Sequence, residues 1–261
     1  MGKCRLIIYS PAYNAASSVP ELFSRVRQAA AGLAKKGITI DQFIMMEDGS
    51  TDGTAALLDA EARKTPFLRV VHKKNNEGVV TALLDGMHSA LRAAGDEDAI
   101  LIRMDADLEH QPEDLERVIG PLVAGKARIS VGYIEYDNRN GLIFRLFNEL
   151  AGKAEGRAFA GVAMPQFCPG FHAVRAGLLR KLLPRLEAEM AGFRHKTKKD
   201  MVTMDVALLA LARKSGEKMA AVKLSPIEDR WIKKPPLGKI LRYLWYHFDT
   251  MGFLQRYRSS S

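Results

Sequence analysis

Three carboxylates stand two residues apart in Asp105-Ala106-Asp107-Leu108-Glu109, just after the apolar run Ala99 to Ile102. A short apolar run reads as a buried parallel strand, and open α/β sheets bind ligands beyond the carboxyl ends of such strands. Within a strand alternate residues share a face, but past its end a turn can aim two or three of these oxygens at one point. Such oxygens suit a hard divalent cation, Mg2+ or Mn2+, which commonly completes its shell with phosphate. A solvated acidic loop in which Asp107 or Glu109 caps the next helix has the same sequence, so the neighbouring segments must decide.

Those segments repeat one plan. Cys4 to Tyr9 is an apolar strand that is expected to leave its sheet at Ser10-Pro11-Ala12-Tyr13-Asn14, because proline cannot continue a ladder and asparagine favours turns. Ser17 or Ser18 then caps a helix with Pro20 in its first turn, and Val19, Leu22, Phe23, Val26, Ala29, Ala30 and Leu33 form its buried stripe. Gly37 ends it. Ile38 to Met46 is a second strand, which stops at Glu47-Asp48-Gly49-Ser50-Thr51-Asp52-Gly53-Thr54 before a helix from about Thr54 to Lys64. Phe67 to His72 is a third. Asn76-Glu77-Gly78 opens a helix with Val79, Ala82, Leu83, Met87, Ala90 and Leu91 on one face, and Ala99 to Met104 follows as the strand that delivers the acids. Pro112, Glu113 and Asp114 begin another helix, and Ile129 to Tyr133 is strand-like. Strands alternating with helices at this spacing predict an α/β fold, a mostly parallel sheet with helices on both faces.

Composition bounds the possibilities. With 261 residues, 47% of them hydrophobic, the chain can bury one large core. Lys and Arg number 39 against 30 acids, a net charge of +9, which implies an anionic partner: nucleotide phosphate, nucleic acid or a membrane surface. Charge alone does not choose among them. Cys4 and Cys168 offer neither metal-ligand spacing nor a disulfide framework, so the expectation is a reducing cytoplasm. No apolar run approaches the ~18 residues that span a bilayer, and no signal peptide precedes the first strand, so a soluble or peripheral protein is expected.

The ordered segments Pro11-Ala12-Tyr13-Asn14, Glu47 to Thr54, Asn76-Glu77-Gly78 and Asp105-Ala106-Asp107-Leu108-Glu109-His110-Gln111-Pro112-Glu113 resemble the motifs of the inverting family-two glycosyltransferases. The last of them most resembles the dolichyl- and polyprenyl-phosphate sugar synthase branch. The resemblance covers residues 5 to 135 well and the remainder loosely. It implies a GT-A fold, Rossmann-like, whose first loop lies on a nucleotide base, so that Pro11, Ala12, Tyr13 and Asn14 would line the nucleoside. Asp48 matches an acid that helps bind that nucleoside, while Glu47 stands where aspartate is more usual. A carboxylate there can accept hydrogen bonds from ribose hydroxyls or base nitrogens. An Asp-Gly turn needing only Asp52 and the glycines is compatible with the same residues.

Asp105 and Asp107 match the family's metal-binding pair, and Glu109 stands where this branch often has glutamine. The resemblance thus implies Mg2+ or Mn2+ on Asp105, Asp107 and Glu109, neutralising a diphosphate leaving group. Asp107 is accordingly a candidate catalytic residue. In the second half the chain departs from the pattern. Arg139 and Arg145 lie in the place of a Gly-Ser-Arg loop, with forks suited to phosphate. Gln166-Phe167-Cys168-Pro169-Gly170-Phe171 resembles a loop that usually opens with an acid. Asp205 sits where relatives that deprotonate an acceptor hydroxyl carry one, and Arg230 resembles a basic residue that reaches the diphosphate. The six histidines show no metal spacing.

The expectation is therefore a GT-A domain over residues 1–232 that transfers sugar from a nucleoside-diphosphate sugar to a polyprenyl phosphate, with no nucleic-acid partner. Transfer to a saccharide or other hydroxyl with Asp205 as base is the second reading, and a noncatalytic nucleotide-sugar or polyanion binder the third. Residues 233–261 form a basic tail in which Leu237, Ile240, Leu241, Leu244, Trp245 and Phe248 recur at helical spacing. Lying in a lipid interface, packing on the domain and pairing with a second subunit all suit that pattern. A cytoplasmic protein in peripheral contact with the cytoplasmic membrane face is expected.

Overall fold

The computed structural model describes residues 4–96, 98–133, 149–150, 153–154, 157, 167–191 and 198–226, with the backbone alone for 167–169 and 198–203. The chain runs β1 (Cys4–Ala12), α1 (Val19–Ala34), β2 (Ile38–Glu47), α2 (Thr54–Ala62), β3 (Leu68–His72), α3 (Val79–Ala94) and β4 (Ile100–Arg103). A 3-10 turn (Pro112–Asp114) then enters α4 (Leu115–Val123), followed by β5 (Ile129–Tyr133), β6 (Phe167–Arg175), α5 (Ala176–Met190), α6 (Lys198–Lys214) and β7 (Met219–Lys223). The expected tail 233–261, and with it Arg139, Arg145, Gln166 and Arg230, lies outside the described residues.

The strands make one sheet in the order β3-β2-β1-β4-β6-β5-β7. β1 pairs in parallel with β2 and β4, β2 with β3, and β5 with β7, while β6 runs antiparallel to both β4 and β5. Successive side chains of a strand point to opposite faces, and the core divides accordingly. Ile7, Tyr9, Ile44, Met46 and Leu101 pack toward α3, α5 and α6. Leu6, Ile8, Phe43, Met45, Ile100 and Ile102 pack toward α1, α2 and α4. Helices cover both faces, so the central strands are apolar at nearly every position, as read from the sequence.

Two expectations are corrected. β1 does not leave the sheet at Ser10: it continues to Ala12, with Ser10, Pro11 and Ala12 in register with Met45, Met46 and Glu47. Pro11 is tolerated because β4 pairs β1 across Leu6 to Tyr9 only, so beyond Tyr9 the strand has one ladder and behaves as an edge. The stretch 167–171, compared above with a loop, is the first half of β6, and its continuation supplies the antiparallel strand between β4 and β5.

β1 lies at the point where strand order reverses, since the chain winds outward through β2 to β3 and then returns to place β4 on the other side of β1. Ligands of open α/β sheets bind at such a crevice. Two glycines shape the loop after β2 that rims it. Gly49 has φ +67°, and a Cβ there would lie 2.6 Å from the Asn75 carbonyl carbon and 2.7 Å from the Asn76 nitrogen. Gly53 also has positive φ, +90°, but faces open space. Gly53→Ala is therefore expected to cost about 1–2 kcal/mol of stability, the ordinary left-handed penalty. Gly49→Ala adds a backbone collision to that penalty and should cost at least ~3 kcal/mol in urea unfolding. Equal losses for the two variants would contradict the packing of this loop on Asn75 and Asn76.

Candidate active site

The loops after β1 and β2 interlock. The Ala12 carbonyl accepts the Asp48 N–H at 2.9 Å. Asn14, at φ 51°, receives the Thr51 N–H on its side-chain oxygen at 2.9 Å and donates its own N–H to Ser50 Oγ at 3.0 Å. Asparagine tolerates that left-handed backbone because its short amide bonds locally. Asp52 accepts the Ala16 N–H at 3.1 Å and the Thr54 N–H at 3.0 Å, and Thr54 Oγ1 accepts the Ala15 N–H at 2.8 Å. Its carboxyl is held below the usual range, chiefly by the Thr54 hydroxyl. Pro11 and the buried Ala12 end β1, and the Tyr13 ring next to them is 49% exposed.

Glu47 and Asp48 are buried beneath this rim. Glu47 accepts the Ser50 N–H at 2.6 Å and faces His72 Nδ1 at 3.5 Å. The Asp48 oxygens accept the Glu77 N–H at 3.0 Å and the Gly78 N–H at 2.9 Å. Asp48 thus fastens the start of α3 to the end of β2, where orphan helix N–H groups need acceptors. The Asn76-Glu77-Gly78 segment and the Glu47-Asp48 pair are partners across this joint.

Beyond β4 the chain alternates. Asp105, Asp107 and Glu109 are half-buried, whereas Ala106, Leu108 and His110 between them are buried. Leu108 holds φ 64°, a conformation rare for a branched side chain, and turns the chain between Asp107 and Glu109. Asp107 accepts the Glu109 N–H at 3.2 Å. Ser18 Oγ, expected as a helix cap, makes no cap bond; it donates to the Ala106 carbonyl at 2.7 Å and ties the entry of α1 to this turn. His110 Nδ1 accepts the Asp105 N–H at 2.8 Å, so its ring proton sits on Nε2, and the ring stacks on Phe171 with centroids 5.0 Å apart.

Arg103, which the sequence reading passed over, lies under Asp105. Its guanidinium has no exposed surface and reaches the Asp105 carboxylate at 2.9 and 3.1 Å. It also donates to the Gly170 carbonyl of β6, where any side chain in place of Gly170 would collide with it. Burial draws the guanidinium down, but Asp105, Asp205 and Tyr9 outweigh that and leave it above its ordinary range. A lone Arg in Ile100-Leu101-Ile102-Arg103-Met104 was the available signal, since a charge in a buried strand requires a partner.

Asp205 is fully buried within α6, not exposed at its start. It stands 3.6 Å from Arg103 Nη2 and 4.0 Å from His172 Nδ1, and among the described residues neither of its oxygens has a hydrogen-bond partner. Burial pushes its carboxyl up to about 7; Arg103 opposes the rise and Asp105 adds to it. The neighbouring Tyr9 hydroxyl, 3.5 Å from His172 Nε2, is raised by burial and then by Asp205.

Among the described residues, no three His, Cys, Asp or Glu side chains are gathered so as to enclose an ion by themselves. The acidic turn nonetheless fits Mg2+ or Mn2+ in donor chemistry. It presents partly exposed carboxylate oxygens, and such ions are commonly held by one or two carboxylates with phosphates completing the shell.

Residues 7–183 match the model of the glycosyl transferase family 2. The chain is 29% identical over 195 residues to an undecaprenyl-phosphate mannosyltransferase of Micrococcus luteus, covering 72% of this chain and 74% of the relative. To a polyprenol monophosphomannose synthase of Mycolicibacterium smegmatis it is 30% identical over 182 residues, 68% of this chain and 64% of that protein. An undecaprenyl-phosphate 4-deoxy-4-formamido-L-arabinose transferase of Shewanella sediminis is 28% identical, and the match spans half its length. In fold, the chain resembles mannosyl-3-phosphoglycerate synthase from Rubrobacter xylanophilus, with TM-score 0.56 and 16% identity over 99% of this chain and 76% of that one. It also resembles a mannosyltransferase from Pyrobaculum calidifontis in complex with GDP-Man and Mn2+, with TM-score 0.54 and 19% identity over 87% of this chain and 58% of that one.

The raised Asp205 carboxyl has a consequence for stability. Between its unfolded value of 3.8 and its folded value of about 7 the native state holds the extra proton, so this group's contribution is present below pH 4 and is lost as pH rises through 7. Relative to Asp205→Asn, the parent protein should lose about 1.4 kcal/mol per pH unit over that window and run parallel to it above. Urea unfolding at pH 4.5, 6 and 8 measures this, and parallel curves throughout would refute the buried, proton-holding carboxyl.

Proposed function

The chain belongs to glycosyl transferase family 2 and is a glycosyltransferase, and from that premise we propose that it transfers sugar from a nucleoside-diphosphate sugar to a polyprenyl phosphate by inverting displacement. The observation that carries the acceptor is the burial of Asp205. A hydroxyl nucleophile needs a general base, and the carboxylate expected to serve lies inside α6 with no exposed surface. A phosphate monoester is already ionised and needs only to be held in line. The printed names of the relatives from Micrococcus luteus and Mycolicibacterium smegmatis support the same class of acceptor.

In this reading the exposed Tyr13 ring, with Pro11, Ala12 and Asn14, receives the nucleoside. Glu47 and Asp48 hold the floor of that site through the Ser50, Glu77 and Gly78 amides. Asp105, Asp107 and Glu109 hold the divalent cation, which when bound neutralises charge on the leaving diphosphate. A phosphate oxygen of the acceptor forms a bond to the anomeric carbon while that carbon's bond to the diphosphate oxygen breaks. The nucleoside diphosphate departs with the electron pair, and no proton has to be removed. Arg139 and Arg230 are proposed to contribute positive charge to these phosphates. No described helix is long and apolar enough to cross a membrane. The basic tail is proposed to bring the site to the lipid acceptor, because its apolar residues recur at helical spacing among Lys and Arg.

The test is a panel of nucleoside-diphosphate sugars with undecaprenyl phosphate and Mn2+, read as lipid-linked sugar. Product with one donor supports the reading, and transfer to saccharide hydroxyls instead would overturn it. Asp107→Asn should abolish Mn2+-dependent nucleotide binding without lowering the melting temperature, and unchanged affinity would remove Asp107 from the site. Asp205→Asn should keep at least about a tenth of the turnover at saturating Mn2+, where loss of a general base typically costs ~10²- to 10⁴-fold.

A further inference from the structure

Arg103 stands between two carboxylates brought from opposite directions. Asp105 lies two residues past the end of β4, half-buried, with contacts at 2.9 and 3.1 Å. Asp205 comes from α6 behind the sheet, fully buried, 3.6 Å from Nη2. The backbone of β6 closes a third side, because Gly170 both accepts from the guanidinium and lacks the side chain that would displace it. His110 restrains the same aspartate from its other end by accepting the Asp105 N–H, and its ring is fixed against Phe171.

A planar guanidinium binding both oxygens of a carboxylate fixes direction as well as charge, which an ammonium cannot do. Groups that hydrogen-bond a metal-binding carboxylate from behind orient it, and losing one typically costs about 10- to 100-fold in metal affinity. We propose that Arg103 and Asp205 are positioning residues acting in series, Asp205 holding the guanidinium and the guanidinium aiming Asp105 at the cation. This rests on the metal-dependent reading of the acidic turn. It gives Asp205 a task at a distance from the acceptor and accounts for an Arg inside an otherwise apolar strand.

The experiment measures Mn2+ binding directly, by loss of the free-ion electron paramagnetic resonance signal, with Mn2+ alone as probe and the full chain as protein. Removing Arg103 by itself would leave Asp205 buried without its counter-charge, so the main variant replaces both: Arg103→Met with Asp205→Leu. Two apolar residues can fill the space of a buried pair without loss of folding. This double variant should retain its melting transition and bind Mn2+ about 10- to 100-fold more weakly. Arg103→Lys keeps the charge but not the fork. If the residue merely balanced charge, Lys would restore parent affinity; for a positioning role the affinity stays about tenfold down. Should the double variant fail to fold, Arg103→Lys and Asp205→Asn make the same comparison. Mn2+ affinity within twofold of the parent in the folded variants would overturn the proposal while leaving the catalytic reading intact. A parent protein that binds Mn2+ neither alone nor together with a nucleoside diphosphate would overturn both.

Discussion

Arg103 carries a positive charge with no exposed surface, and such a charge survives in a protein interior only where opposite charge and hydrogen-bond acceptors replace water. Asp105, just past β4, and the Gly170 carbonyl of β6 supply that replacement, and Asp205 of α6 adds negative charge as it ionises around pH 7. The requirement binds β4, β6 and α6 together at the carboxyl end of the sheet. Removing one member of such a set usually costs about 3–5 kcal/mol, more than burial of a single Leu at roughly 1.5–3 kcal/mol. The cluster therefore fixes where the acidic turn begins, while the surrounding apolar packing supplies most of the stability.

From that fixed point outward, the rim is set by backbone amides received on short acidic or amide side chains. Asp48 receives Glu77 and Gly78, Glu47 receives Ser50, Asn14 receives Thr51, and Asp52 receives Ala16 and Thr54. Each bond joins one loop to another or closes a turn within one, and Ser18 joins α1 to the turn after β4. The exposed Tyr13 and the partly buried carboxylates, proposed above to receive the ligand, thus sit on loops with little slack. Holding such groups before the substrate arrives is a large part of how a site without a covalent step lowers its barrier.

The parallel half of the fold was legible because buried parallel strands write themselves as short apolar runs, and each of them here ends in acids, glycine or asparagine. Pro11 misled by one rule: proline is excluded from a ladder where its N–H is needed, and beyond Tyr9 that side of β1 has no strand to donate to. The second half was opaque for a different reason. Phe167-Cys168-Pro169-Gly170-Phe171-His172 has neither alternation nor a helical period; β5 pairs it at Phe167, Cys168 and His172, and β4 joins only from His172 onward. Asp205 could be read as an acid on a helix but not as a buried one, since its counter-charge lies far away in the chain. The roles of Glu47 and Asp48 divide similarly: their place at a strand end was visible, whereas the amides they hold depend on where α3 begins.

In the proposed function, a buried Asp205 and a partly exposed acidic turn are the marks of a transfer whose nucleophile arrives already ionised. The most direct measurement compares initial rates with a polyprenyl phosphate and with the corresponding free polyprenol, using one nucleoside-diphosphate sugar and saturating Mn2+. Turnover of the phosphate with none of the alcohol is the expected result. Turnover of the alcohol, lost on Asp205→Asn, would contradict it and would require Asp205 to reach the acceptor as a base.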